Sequence, residues 1–236
     1  MREQILTADC SRCRGLCCTE LCFSKCDGFP ADKPAGRACA HLTADFHCDI
    51  HGELARRGLR GCLAYDCFGA GQRAAETGED FHVLFRLHQI LWYLNQAAEL
   101  EAARDLWPQV AALLAEQPDP DGLDDYQDRA NGILKKIIPR VCVKGRPNRG
   151  DLMGKQLQKQ DLSEMDYSFT LLIAADLTGC RLRGTSLLGA DLRDAVVRGA
   201  DLSGALFLTQ GQVNSARGDR TTRLPGGLAY PTHWNP

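Results

Sequence analysis

The cysteines are the residues of this chain with the greatest capacity for chemistry. The chain has 12 of them in 236 residues, and ten lie between Cys10 and Cys67. Cys10 and Cys13 are spaced so that two thiolates can reach one metal ion from a tight turn. Cys17 and Cys18 are adjacent, and neighbouring side chains of an extended chain point to opposite faces. This pair is predicted to serve two different ions, or one ion and one structural contact.

Metal ligation is favoured over two other uses of these thiols. A disulfide framework belongs to an oxidising compartment, and the N-terminal residues contain no apolar export segment. Unbonded thiols would leave residues 1–75 unfolded, because this region has too few large apolar side chains to fold on packing alone. Four thiolates suit tetrahedral zinc and an iron–sulfur cluster equally well. Zinc is favoured over iron, because structural zinc is the commoner case and the region needs a cross-link in order to fold.

The spacing of the cysteines, with Cys39-Ala40-His41-Leu42 and Cys48-Asp49-Ile50-His51, is similar to that of the YkgJ-type cysteine-rich family. That family is described as zinc- or iron-chelating, and the similarity covers residues 10–67. The resemblance implies eight ligands: Cys10, Cys13, Cys17, Cys18, Cys39, Cys48, Cys62 and Cys67.

Two cysteines and three histidines of the same segment fall outside that implied ligand set. Cys22 and Cys26 depart from the family pattern, and they could form a second site or pack without a ligand. Histidine is a common zinc partner, but ten thiols make it dispensable here. Of His41, His47 and His51, we expect His41 to be the ligand if any of them is one.

The next segment is predicted to be helical. Apolar residues recur at spacings of three and four from Phe81 to Leu94, as in an amphipathic helix. A second run covers residues 97–106, and Pro108 can open the following helix because a first turn does not need its missing N–H. A third run begins at Leu123 and is expected to stop before Pro139.

An internal repeat occupies residues 151–207. Bulky side chains recur every five residues without a slip, and a smaller residue stands two positions before each in the more regular half. A strict period of five fits neither a helix nor a strand, but it fits a short extended side followed by a turn. The bulky positions are Leu152, Leu157, Leu162, Tyr167, Leu172, Leu177, Leu182, Leu187, Leu192, Val197, Leu202 and Phe207.

Units such as Ala175-Asp176-Leu177-Thr178-Gly179 resemble the A(D/N)Lxx unit of the pentapeptide-repeat family. The resemblance implies a right-handed, four-sided β-helix in which the bulky and the small residues point inward. Twelve repeats then make about three coils. Lys155, Gln160 and Met165 replace the small residue, so we expect an irregular first coil. Cys180 at a small position and Cys142 before the repeats are expected to be packed thiols.

The sequence therefore predicts a multi-domain protein of mixed class. A cysteine-rich, metal-stapled head (residues 1–75) is followed by an α-helical connector (76–145), a β-helix (146–207) and a C-terminal cap (208–236). A net charge of −2 argues against direct nucleic-acid binding, and no apolar stretch of about 18 residues exists to cross a membrane. We expect a cytoplasmic protein, and the Ala-, Arg-, Gly- and Leu-rich composition suggests a bacterial one.

Three functions are considered. The first is a non-catalytic metal-binding protein whose β-helix is a binding or scaffold surface for a protein partner. The second is an iron–sulfur redox or methyl-transfer-related enzyme, because a related cysteine arrangement occurs in a bacterial flagellin lysine methylase family. Against it, the chain lacks the G-x-G-x-x-G, P-loop and G-x-S-x-G motifs.

The third is gyrase binding by DNA mimicry, as in the quinolone-resistance type of pentapeptide-repeat protein. The repeats carry a net charge of only −2, and three coils span only about 14 Å. Such a surface is too short and too neutral to replace a DNA duplex.

Overall fold

The computed structural model describes residues 6–147 and 151–234. The chain is divided into two compact units. One comprises Met1–Asn95 and Leu114–Asp128, and the other comprises Gln96–Leu113 and Arg129–Pro236. The domain boundaries given above stay predictions.

The cysteine-rich head folds into short helical segments joined by turns. Its α-helices are α1 (Leu16–Glu20), α2 (Arg60–Ala64) and α3 (Ala70–Thr77), with 3-10 turns at Cys10–Arg12, Lys25–Asp27 and His51–Glu53. Two isolated antiparallel bridges, Phe23 with Lys33 and Leu42 with Cys48, close the intervening loops. No segment of the head is long enough to be stable without tertiary contacts.

Two apolar clusters contact cysteines of the head, and both are small. Ala70, Ala74, Phe81 and Leu84 are the buried members of one cluster, with Tyr65 and Cys67 among the residues packed against it. Ile50, Leu54 and Leu59 are the buried members of another, which Cys48 and Cys62 contact. Cysteine side chains thus line both clusters.

The predicted helix from Phe81 is confirmed as α4 (Phe81–Ala97), and its first turn is capped by the Asp80 carboxylate. The second run forms a 3-10 helix, Glu101–Leu106, and α5 (Trp107–Ala115) includes Pro108 in its first turn.

The prediction that the third helix stops before Pro139 is wrong. Helix α6 spans Leu123–Val141 with Pro139 inside it. The amide of Cys142 donates to the Ile138 carbonyl at 2.8 Å, so the last turn closes beyond the proline. Ile137 and Ile138 are buried, and their packing offsets the free-energy cost of the main-chain hydrogen bond that the proline removes.

The repeat region is a β-helix with four pentapeptides in each coil. Parallel bridges join residues 20 positions apart, from Asp151 with Leu171 through Ser186 with Leu206. Within the described ranges, these pairings are single-residue bridges rather than extended strands. In ten successive repeats, from Gly154 to Gly199, the residue two after the bulky one has a φ between 53° and 67°. This left-handed residue ends each side and turns the chain onto the next one.

The predicted inward positions are confirmed for the ten bulky residues from Leu162 to Phe207, whereas Leu152 and Leu157 are partly buried and pack against the same core. Leu172, Leu182 and Leu187 are fully buried, and the small residues from Ala175 to Ala205 are buried beside them. Lys155 and Gln160, which replace small residues, are exposed. The packed thiols are also confirmed, since Cys180 and Cys142 are buried and their sulfurs donate to the carbonyls of Leu157 and Gly184.

Residues 208–234 cover the C-terminal end of this core. Helix α7 (Gln210–Ser215) starts with a capping box between Thr209 and Gln212. Arg217 and Arg223 form further parallel bridges, with Val196 and Asp201. Trp234 is buried in the β-helix core and donates from its indole nitrogen to the Ala216 carbonyl at 2.9 Å. Among the described residues, no helix is long and apolar enough to cross a membrane.

Candidate metal centre

The candidate ligands come from four segments of the head and are all free thiols. Cys10 is exposed, and the other seven are partly buried. The segments are residues 10–18, the turn at Cys39, the bridge at Cys48, and residues 62–67 around α2.

Cys13 and Cys67 meet at the start of α3. The Cys10–Arg12 turn closes with the amide of Cys13 donating to the Cys10 carbonyl at 3.3 Å, and α3 starts three residues after Cys67. A Cβ added to Gly71 would lie 2.8 Å from the Cys13 sulfur and 3.7 Å from the Cys67 sulfur. The missing side chain of Gly71 therefore lets both sulfurs approach the helix.

Cys18, Cys39 and Cys48 are joined through the backbone. The amide of Cys39 donates to the Cys18 carbonyl at 3.0 Å, and Cys48 pairs with Leu42 in an antiparallel bridge. Leu42 in turn donates to the Cys39 carbonyl at 3.1 Å. Cys62 and Cys48 pack against the same small cluster around Ile50.

The adjacent thiols of Cys17 and Cys18 lie 3.9 Å apart, sulfur to sulfur. The hydrogen bond from Cys17 and the charge of Lys33 lower the pKa of Cys18 to about 7, against the opposing effect of burial. The same hydrogen bond and burial raise the pKa of Cys17. Cys18 is thus the thiol of this pair that ionises first.

Burial raises the pKa of other thiols in the group. It raises that of Cys62 to about 12 and that of Cys67 to about 11, although amides of Gly71 and Gly69 donate to the Cys67 sulfur and oppose the shift. Three neighbouring thiolate charges contribute to the Cys62 shift: Cys18, Cys39 and Cys48. A metal ion would have to displace protons from these sulfurs, so binding is expected to weaken on acidification.

Among the described residues, no three histidine, cysteine, aspartate or glutamate side chains are already arranged to hold an ion. The thiols would have to turn toward a common point. Two observations fit such a centre. Gly71 leaves room for two sulfurs, and the hydroxyl of Tyr65 is buried without a hydrogen-bond partner in the described part of the chain. Burial and the charges of Cys67 and Cys17 raise the Tyr65 pKa, so this donor lies beside thiols that could accept from it.

The remaining predicted residues have other surroundings. Cys22 and Cys26 are exposed, and no hydrogen bond joins either to another cysteine in the described ranges. The ring of His41 pairs with Asp49 at 3.0 Å, while its amide donates to the Cys39 sulfur at 3.5 Å. His47 and His51 are exposed.

Sequence reasoning did not find Tyr65 and Gly71. A signal for both exists, because Tyr65 stands two residues before Cys67 and Gly71 stands four residues after it, in the small-residue run Gly69-Ala70-Gly71. Small residues beside a ligand allow close backbone approach.

The repeats define the class of protein. Residues 171–207 match the family described as pentapeptide repeats, in eight copies. The chain is 36% identical over 264 aligned positions to "Uncharacterized protein YybG" of Bacillus subtilis (strain 168), covering 97% of this chain and 95% of that protein. The chain therefore belongs to the pentapeptide-repeat family, and its likeness to YybG includes the cysteine-rich head.

Two solved structures of pentapeptide repeat proteins are also similar. Rfr23 of the cyanobacterium Cyanothece 51142 is 31% identical over 31% of this chain and 53% of its own, with a TM-score of 0.27. HetL of Nostoc sp. strain PCC 7120, involved in heterocyst differentiation regulation, is 23% identical over 34% and 43%, with a TM-score of 0.18. The chain spans about half the length of these two proteins.

Proposed function

We propose that the chain is a non-catalytic metal-binding protein whose β-helix is a binding surface for a protein partner. One observation carries the metal-binding part. The head contains eight candidate thiols from four separate segments, and three of them (Cys48, Cys62 and Cys67) pack against two apolar clusters that are too small to be a core of ordinary size. A metal ion would supply the cross-link that packing does not, because its binding energy becomes folding energy.

The donor set favours zinc. Sulfur-only sites with four ligands are typical of structural zinc, which holds its ligands in a closed tetrahedron. The resemblance of residues 10–67 to the YkgJ-type family supports the same eight ligands: Cys10, Cys13, Cys17, Cys18, Cys39, Cys48, Cys62 and Cys67. Free thiols are typical of a reducing compartment, which supports a cytoplasmic location.

The surface of the β-helix supports the binding role. Met153, Phe169 and Leu171 are large, apolar and exposed, and Phe169 is 69% exposed. Leu171 bridges to Asp151 in the preceding coil, so Leu171 and Met153 belong to repeats on the same side of the β-helix, and Phe169 is the turn residue that leads into that side. Bridges 20 residues apart over residues 151–206 also support a winding of about three coils, for which we propose the right-handed sense of the family.

Ion pairs on the repeats weigh against DNA mimicry. The carboxylates of Asp161, Asp191 and Asp194 each pair with an arginine at 2.6–3.1 Å. A DNA mimic needs carboxylates whose charge is not neutralised.

Metal analysis tests the first part of the proposal. The full chain would be purified without oxygen or added chelator, and its metals and visible spectrum measured. We expect zinc and no visible colour. Iron with acid-labile sulfide would instead support the redox or enzyme alternative, and protein free of all metal would refute metal binding.

Site-specific photo-crosslinking tests the second part. A crosslinking residue at Phe169 is expected to capture a protein partner in the source cells. The matched control is Lys159, an exposed residue at the equivalent turn position two repeats earlier, on the opposite side of the coil. Equal capture at both positions, or at neither, would contradict a binding surface on the Phe169 side.

A further inference from the structure

We propose that the eight thiols form two neighbouring four-thiolate sites, with Cys17 in one site and Cys18 in the other. This inference rests on the metal binding proposed above. The first site would contain Cys10, Cys13, Cys17 and Cys67, and the second would contain Cys18, Cys39, Cys48 and Cys62.

Contacts around α3 and Tyr65 define the first set. Cys13 and Cys67 share the space beside Gly71, and Cys13 is tied to Cys10 by the 3-10 turn. Tyr65 packs with Cys67 against the cluster around Ala70, and its hydroxyl is buried without a hydrogen-bond partner in the described part of the chain. A buried donor of this kind could hydrogen-bond to a metal-bound thiolate and so orient it.

Backbone pairing and one shared cluster define the second set. Cys18 and Cys39 are linked by a main-chain hydrogen bond of 3.0 Å, and the Leu42–Cys48 bridge folds the chain back beside Cys39. Cys62 packs with Cys48 against the Ile50 cluster.

Helix α1 contains both Cys17 and Cys18, which are assigned to different sets. Residues i and i+1 of a helix do not face each other, so Cys17 and Cys18 are directed toward different neighbours. Their sulfurs are nevertheless only 3.9 Å apart. The two sites therefore lie side by side. A separation of 3.9 Å would also suit two ligands of one tetrahedral ion, which is the arrangement that the experiment must distinguish.

Counting zinc ions per chain by native mass spectrometry, after reconstitution of the full chain with zinc alone, distinguishes the two arrangements. We expect two ions in the natural chain and one in either Cys13→Ser or Cys48→Ser. A pair from one set, Cys13→Ser with Cys67→Ser, should retain one ion. A pair across the sets, Cys17→Ser with Cys18→Ser, should retain none.

Each other result overturns a specific statement. A natural chain without zinc refutes the proposed metal binding itself. A natural chain with one ion refutes the two-site division. Two ions in the natural chain, followed by one retained ion in the Cys17/Cys18 pair, places both adjacent thiols on a single ion and refutes this partition.

Replacing a cysteine could also unfold the head, so a variant that keeps all eight thiols provides a second test. Gly71→Ala places a Cβ 2.8 Å from the Cys13 sulfur, whereas Gly52→Ala has nothing within 4 Å of its added Cβ. We expect Gly71→Ala to weaken binding of one of the two ions by about tenfold or more, and Gly52→Ala to leave both unchanged. Equal weakening of both ions by Gly71→Ala would contradict its assignment to the first site.

Discussion

The β-helix and the cysteine-rich head reach a folded state by different means. In the β-helix one small local rule is repeated, and 19 buried residues form a continuous core. The two apolar clusters that the cysteines of the head contact have four and three buried members, two of which belong to α4, and the thiols come from segments far apart in sequence. The comparison shows that a repeat can be stable through packing between similar neighbours, while the head depends on a few long-range links.

The largest effect is expected from removing metal. A strong chelator should unfold the cysteine-rich head and leave the β-helix folded, because under the proposed function only the head would gain folding energy from a bound metal. Hydrogen exchange measured by mass spectrometry would show loss of protection in residues 10–67 and none in residues 171–207. Unchanged protection of the head in demonstrably metal-free protein would break the contrast between the two regions.

Within the β-helix, Leu182→Ala should be the next largest change. Leu182 is fully buried in the core, so its truncation is expected to lower the free energy of unfolding by about 2–5 kcal/mol. Phe169→Ala is the matched control, because this side chain is 69% exposed and its removal should cost less than about 0.5 kcal/mol. Denaturant unfolding of the repeat region measures both, and similar losses would show that the core does not dominate its stability.

The turn residues give a smaller effect of predictable sign. Ala174 and Gly179 occupy equivalent turn positions, with φ values of 53° and 66°. Ala174→Gly should stabilise the β-helix by about 1 kcal/mol, and Gly179→Ala should destabilise it by a similar amount, because only glycine adopts this conformation without strain. Thermal unfolding of the two variants is the measurement. Changes of the same sign would contradict a repeated left-handed turn.

Acid should cause the smallest and most gradual effect. Hydrogen bonds from Ser163 and Arg181 lower the pKa of Asp161 from 3.8 to about 2, and turn hydrogen bonds from Thr178 lower the pKa of Asp176 in the same way. A carboxyl group whose pKa is lower in the folded than in the unfolded chain stabilises the fold at pH values above its unfolded pKa. This contribution is lost as the pH falls through its folded pKa. Stability of the β-helix should therefore decline between pH 3.8 and about 2. Asp161→Asn should make that decline less steep. If the variant loses stability with falling pH as the natural chain does, groups other than Asp161 cause the decline.

The sequence was sufficient for the β-helix because its information is local. The five-residue spacing identified the inward positions from Leu162 to Phe207, and the side chains at these positions are buried. It did not identify the role of the aspartates that precede the bulky residues. Each of Asp161, Asp176 and Asp191 accepts a hydrogen bond from the amide two residues later, which fixes the turn.

The grouping of the thiols could not be predicted in the same way. Spacing identified Cys10 and Cys13 as neighbours, but the approach of Cys67 depends on where α3 packs, which is a long-range property. The same limit explains the error at Pro139. A proline signals the end of a helix locally, whereas the burial of Ile137 and Ile138 that carries the helix past it depends on the tertiary fold.

The bridges 20 residues apart have a consequence for how chains of this kind can change in length. An insertion of one pentapeptide keeps every bulky residue facing inward, but it shifts all following residues by one side, so that each bridge partner is replaced by the wrong one. An insertion of a whole coil restores every pairing. Among relatives of this chain, the β-helix is therefore expected to grow or shrink in steps of four repeats, while surface loops of the head vary by single residues.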